Sequence, residues 1–159
     1  MINSYGPFQV TNVALDDINK NTRLTTEFKK YKSMDDLQSL EDHVFLVVLF
    51  AYNNWERLSM LLHSDGSLSK FNDYFKDYQT DADKKRKLRL FISGLTACMH
   101  HHPPDSWKAV RNYLKSTEKL DNIHYECASN YAGKQLRKYY QSSVEAYLIM
   151  KVYHELFPD

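Results

Sequence analysis

The longest unbroken apolar run, Val44 to Tyr52, lies within a stretch where Leu37, Leu40, Val44, Val47, Val48, Ala51, Trp55, Leu58 and Leu62 recur every three or four residues. That spacing places the side chains on one face of an α-helix. Phe45, Leu46, Leu49 and Phe50 carry the apolar surface round its middle, and a helix apolar on every side is normally enclosed by others. The pattern predicts a central hydrophobic helix over about 34–62. Ser33 followed by Met34-Asp35-Asp36 marks its start, because a serine hydroxyl accepts from a free amide and carboxylates suit the positive end of the helix dipole. The run is too short for a bilayer, which needs about 20 apolar residues, so the reading is a buried core helix and no membrane partner.

Weaker patterns flank it. Residues 1–12, around Gly6-Pro7, read as a short extended arm, and Leu15, Ile18, Leu24, Phe28 and Tyr31 predict a helix over 13–31 despite the polar stretch Asn19 to Thr22. His63-Ser64-Asp65-Gly66-Ser67 reads as a turn, after which Leu68, Phe71, Phe75 and Tyr78 make a short amphipathic helix. Thr80 to Asp83 opens another, with an inner stripe of Leu88, Phe91, Ile92, Leu95, Cys98 and Met99, and Pro103-Pro104 ends it. Asp105 is placed to cap a helix starting at Ser106 or Trp107 that buries Trp107, Val110 and Leu114. Cys127, Ala128, Tyr131 and Leu136 suggest a further helix from Ile123. Ser142-Ser143-Val144-Glu145 reads as the capping box of the last, which carries Val144, Tyr147, Leu148, Val152 and Leu156.

The expected fold is all-α, a single-domain bundle of about six or seven helices spanning 1–159. Composition agrees, since 43% of the chain is apolar while only 4 Gly and 4 Pro occur, too few for the tight turns of a many-stranded protein. The two cysteines, Cys98 and Cys127, do not make a disulfide framework, and the first residues lack a basic segment followed by an apolar run. A reducing, cytoplasmic setting is expected. Lys84 to Lys87 also matches a short nuclear-localisation signal, which would apply in a eukaryotic or viral context.

Total charge is +1, but it is unevenly spread: residues 1–80 hold 8 basic and 11 acidic side chains, net −3, and residues 84–138 hold 12 and 4, net +8. Lys108, Arg111, Lys115 and Lys119 fall at helical spacing opposite Trp107, Val110 and Leu114. Lys84, Lys85, Arg86 and Lys87, and then Lys134, Arg137 and Lys138 beside Tyr139-Tyr140, extend the basic set. Cations holding phosphates next to stacking tyrosines form the pattern of a nucleic-acid surface. The competing expectation is a solvated helix face whose lysines pair with Asp81, Asp83, Glu118 and Asp121.

Cys98-Met99-His100-His101-His102 concentrates metal-binding side chains. Consecutive helical residues point about 100° apart, so only Cys98 with His101 or His102 shares a face, and His63, His124 or Cys127 would have to complete a set. Histidines at a helix C-terminus are also favoured by the dipole alone, so no cofactor is expected.

Arg57 and His63, with five residues between them on a helix, resemble the Arg-to-His motif of the HEPN ribonucleases, all-α proteins in which those two residues cleave RNA. The resemblance implies an RNA-cleaving site at Arg57 and His63. That family usually has a polar residue after the arginine, where this chain has Leu58. The leading functional expectation is a non-enzymatic interaction or regulatory protein that binds another protein, with a homo-oligomer as one form, and with 12 Tyr supplying interface anchors. The alternatives are nucleic-acid binding through residues 84–138 and, remotely, a HEPN-like ribonuclease or metal-dependent hydrolase.

Overall fold

A two-residue antiparallel pair opens the described chain, β1 (Ser4–Tyr5) against β2 (Val10–Thr11), with Ser4 opposite Thr11 and Tyr5 opposite Val10. This computed structural model describes residues 4–5, 8–116, 118–123 and 134–156. Beyond that pair the described residues are all-α. Among the described residues there are six α-helices: α1 (Asn12–Lys20), α2 (Leu40–Ser64), α3 (Ser67–Phe75), α4 (Ala82–His101), α5 (Pro103–Ser116) and α6 (Lys134–Leu156). Cys127, Ala128 and Tyr131 of the helix expected from Ile123 lie outside the described residues. Contacts along the chain group it into two compact units, residues 1–57 and 58–159, with α2 running from one into the other.

In the first unit, Thr11 caps α1 by accepting from the Ala14 amide at 3.2 Å. The helix predicted over 13–31 ends at Lys20, because Asn21 turns extended and the polar stretch that follows has no apolar side chain to bury. Asn21 joins the end of α1 to α2, its Nδ2 donating to Asn53 Oδ1 at 2.7 Å and Glu56 Oε2 at 3.1 Å. Val10, Ala14, Leu15, Ile18, Leu24, Tyr31, Leu37, Leu46, Leu49 and Phe50 form the core of this unit.

The cap at Ser33 is real, but it closes only a 3₁₀ turn, Met34–Asp36, where the Asp36 carboxylate accepts from the Ser33 amide at 2.9 Å. Leu37 is extended, and a second box restarts the chain as α2: the Asp42 carboxylate accepts from the Ser39 amide at 3.0 Å while the Ser39 hydroxyl accepts from the Asp42 amide at 3.2 Å. The central helix therefore covers 40–64 and not 34–62.

In the second unit, α4 is the shared wall, packed against α6, α5 and α3, and α3 also meets α5. Leu90, Phe91, Leu95, Cys98 and Met99 of α4 are buried with Ala109, Val110, Tyr113 and Leu114 of α5 and Phe75 of α3. Phe71 bridges Phe75 and Phe91, with ring centroids 4.9 and 5.7 Å apart. Gly66 supplies the left-handed φ of 77° that lets the chain turn from α2 into α3. The prolines end α4 as expected, yet the next helix begins on them at Pro103, since proline lacks only an amide that the first turn does not need. Ser106 then hydrogen-bonds back to His102 O through its amide at 3.1 Å and its hydroxyl at 2.8 Å.

α6 runs unbroken through the capping box expected at Ser142-Ser143. Its Ser143 hydroxyl turns instead to α4, donating to Ser93 O at 3.1 Å and lying 3.2 Å from the Ser93 hydroxyl. Tyr140 lies over Gly94 and Tyr139 stacks on His101. Higher numbers on α4 meet lower numbers on α6, so the two helices are antiparallel.

Candidate interaction surfaces

The basic residues of 84–138 separate into paired and unpaired sets. Asp65 takes two members of the α5 stripe, Arg111 Nε at 2.6 Å and Lys115 Nζ at 3.2 Å. Burial opposes its ionisation, but hydrogen bonds from Ser67 and the two cations outweigh that and hold the carboxyl well below the usual carboxylate range. On α4, Asp83 takes Arg86 at 2.8 Å and Lys87 at 2.7 Å, and Asp77 takes Lys84 at 3.4 Å. Lys84 also sits 5.7 Å from the centre of the Tyr74 ring. The Asp83 carboxyl is lowered by its bonds to Lys87 and Arg86. Lys85, Arg89, Lys108, Lys119 and Lys138 make no ion pair among the described residues. Arg137 is exposed at the start of α6, which Lys134 opens, the Lys134 side chain lying outside the described residues.

The histidines gather at the C-terminal end of α4. The His101 ring is stacked on Tyr139, centroids 3.9 Å apart, and His100 meets it edge-on at 5.1 Å. His102 lies 6.4 Å from the same tyrosine. Burial lowers the His101 pKa, and the neighbouring His100 and His102 add to the effect. Cys98 points the other way, into the core, where burial pushes its thiol up to about 12. Among the described residues, no three His, Cys, Asp or Glu side chains are grouped to hold a metal ion. His124 and Cys127 lie outside those residues.

Arg57 is engaged by Asp17, whose two oxygens accept from Nη1 at 2.6 Å and Nη2 at 2.9 Å. This fork-to-fork pair anchors α1 on α2 in the first unit. His63 is exposed near the end of α2.

Pattern reading missed the exposed apolar surface. On α6 the inner side is Tyr140, Ser143, Val144 and Tyr147, while Leu148, Ile149, Val152 and Leu156, three of them among the apolar residues the sequence placed on this helix, are 41%, 68%, 52% and 67% exposed. These four occupy successive turns of one side of the helix. Along α2, Leu40, Val44, Val48 and Tyr52 stand at four-residue steps and are likewise exposed, so the helix expected to be enclosed on all sides keeps one open apolar ridge. The signal available in the sequence was the aromatic spacing of Tyr140 and Tyr147, which marks the buried side of α6 better than the aliphatic residues do. Among the described residues no helix is long and apolar enough to cross a membrane. No family model, no curated protein and no solved structure matches this chain.

Proposed function

We propose that this chain is a non-enzymatic interaction protein that works by binding another protein through exposed apolar helix surface. The observation that carries the reading is the outer side of α6, where Leu148, Ile149, Val152 and Leu156 stand open on successive turns. Single exposed aliphatic residues are ordinary, whereas a contiguous apolar strip on one helix is the surface that helix-in-groove recognition uses. The exposed ridge of α2 supports the same reading. The nucleic-acid alternative has less support, because Arg111, Lys115, Lys84, Arg86 and Lys87 are already engaged by Asp65, Asp77 and Asp83.

The test is purification of the full chain from its own cells, followed by sizing and mass analysis of what travels with it. A protein partner present in fixed ratio, resistant to nuclease and lost in Ile149→Glu/Val152→Glu with unchanged circular dichroism, is the expected result. Nucleic acid in its place, lost in Lys108→Ala/Arg111→Ala/Lys115→Ala and kept in the α6 variant, overturns the proposal. A chain that travels alone in both forms overturns it too.

A further inference from the structure

The turn between α2 and α3 meets the outer side of α5 at Asp65, whose side chain is only 12% exposed and so is shielded from competing water. One of its oxygens accepts from the Ser67 amide at 3.1 Å, and the other from Arg111 Nε at 2.6 Å and Lys115 Nζ at 3.2 Å. The carboxylate therefore holds Arg111 by its inner nitrogen. Nη1 and Nη2 have no acceptor among the described residues, and the planar group turns that edge away from Asp65. Arg111 thus keeps a free two-pronged edge while its orientation is fixed from behind. Lys108, one turn earlier on the same side of α5, is exposed and makes no ion pair among the described residues. Lys115, one turn later, uses one of its three donors on Asp65. Within a turn of Arg111 on either side, three cations face one carboxylate, a surplus of two positive charges. The next acids along the chain, Asp105 and Glu118, stand six residues before Arg111 and seven after it, about two turns away.

That surplus decides between anions. A nucleic-acid backbone is held by a long row of unmatched cations, whereas Lys84, Arg86 and Lys87 are already held by Asp77 and Asp83. A phosphate monoester carries close to two negative charges on three acceptor oxygens, and a guanidinium edge flanked by two ammonium groups matches it in both charge and donors. We infer that Arg111, Lys108 and Lys115 form a recognition site for a single phosphorylated side chain of a partner protein, with Asp65 as the group that positions Arg111. The free edge of Arg111 donates to two phosphate oxygens, and the lysines donate to the third and balance its charge. Asp65 stays behind the guanidinium, its own charge already counted in the surplus. The inference rests on the protein-binding reading for the source of the phosphate, and it lies on α5 and not on the α6 strip.

The experiment is an NMR titration of the full chain with a short uncharged peptide bearing one phosphoserine, and with the same peptide unphosphorylated. The phosphopeptide is expected to shift the Arg111 Nε signal and the amides of residues 65–67 and 108–115 to saturation, and the unphosphorylated peptide to leave them in place. Arg111→Lys keeps the charge but loses the fork, and should weaken phosphopeptide binding roughly tenfold. Lys108→Ala, at an exposed position, should weaken it severalfold, with thermal melts showing both variants folded. Binding should also strengthen between about pH 5 and about pH 7, as the phosphate takes its second charge. An equal response to the two peptides, or phosphopeptide binding that neither variant weakens, overturns the inference. Inorganic phosphate that binds where the phosphopeptide does not overturns a partner protein as the source. Duplex DNA that displaces the phosphopeptide at equal phosphate concentration overturns it in favour of nucleic acid. Each of these failures leaves the α6 reading to its own purification test.

Discussion

Tyr140 occupies the space above Gly94 so closely that a β-carbon on the glycine would lie 2.6 Å from the ring. Only glycine permits that approach between α4 and α6. Alanine would gain about 1 kcal/mol in a helix interior over glycine, but overpacking against a ring that is itself buried costs about 1–3 kcal/mol. Gly94→Ala is therefore expected to lower the melting temperature by a few degrees, and Gly94→Ala/Tyr140→Leu to recover part of the loss. A melting temperature that rises in Gly94→Ala would show that the ring can swing clear.

The Asp17–Arg57 pair carries a prediction about the HEPN-like spacing. With both side chains partly exposed, their coupling should be about 1 kcal/mol. The double variant Arg57→Ala/Asp17→Ala is expected to lose less stability than the losses of the two single variants added together. Arg57→Lys should restore little, because an ammonium cannot copy the two-pronged contact. A double variant whose losses simply add would mean that Arg57 is held for something other than Asp17.

Asp65 joins the turn before α3 to the basic stripe of α5, and its lowered pKa fixes the pH range of its contribution. A carboxyl with a depressed folded-state pKa stabilises above its unfolded value near 4, and the stability is lost as pH falls from there through the folded value. Denaturant titration should find Asp65→Asn less stable than wild type at neutral pH, with the difference shrinking below about pH 4. The variant also releases Arg111 and Lys115, so its salt-sensitive binding to duplex DNA should rise above that of wild type. Unchanged DNA binding would mean that the freed cations find other acids.

His101 titrates in the opposite chemical sense to a carboxylate but loses stability in the same direction. Its folded-state pKa is lowered, so the neutral ring is favoured in the fold, and its contribution is present above the unfolded value of about 6.5 and is lost as pH falls below it. Melting temperature should fall between neutral pH and pH of about 5, and the fall should be smaller in His101→Phe, which keeps an aromatic ring on Tyr139. An identical fall in the variant would assign the effect to His100, His102 or another group.

Much of the helical framework was legible because its signals are local. Asp81 caps α4 through the Asp83 and Lys84 amides, Pro103 stops it, and Gly66 turns the chain, each by a property of one residue. The start of α2 was misplaced because two serine-to-aspartate boxes, at Ser33 and Ser39, follow each other and only packing decides which opens the long helix. The interaction surfaces were misread for a related reason. Periodicity says that Leu148, Val152 and Leu156 share a side of α6, but it cannot say that the inner side is the one with Tyr140 and Ser143. Likewise the run of cations at 84–119 is plain in the sequence, while its partial neutralisation by Asp65 and Asp77 depends on contacts across the fold.

The small residues along the α4–α6 seam set an order of detachment. Ser93, Gly94 and Ser143 let the helices approach closely, yet they remove little apolar surface from water, and Tyr140 is the one fully buried side chain described on α6. α5, by contrast, buries Ala109, Val110, Tyr113 and Leu114. In native-state hydrogen exchange the amides of α6 should therefore open at lower free energy than those of α4 and α5. Whatever clasps the outer strip of α6 would slow that opening, so occupancy of the surface would be recorded as protection along the opposite, inward side of the same helix.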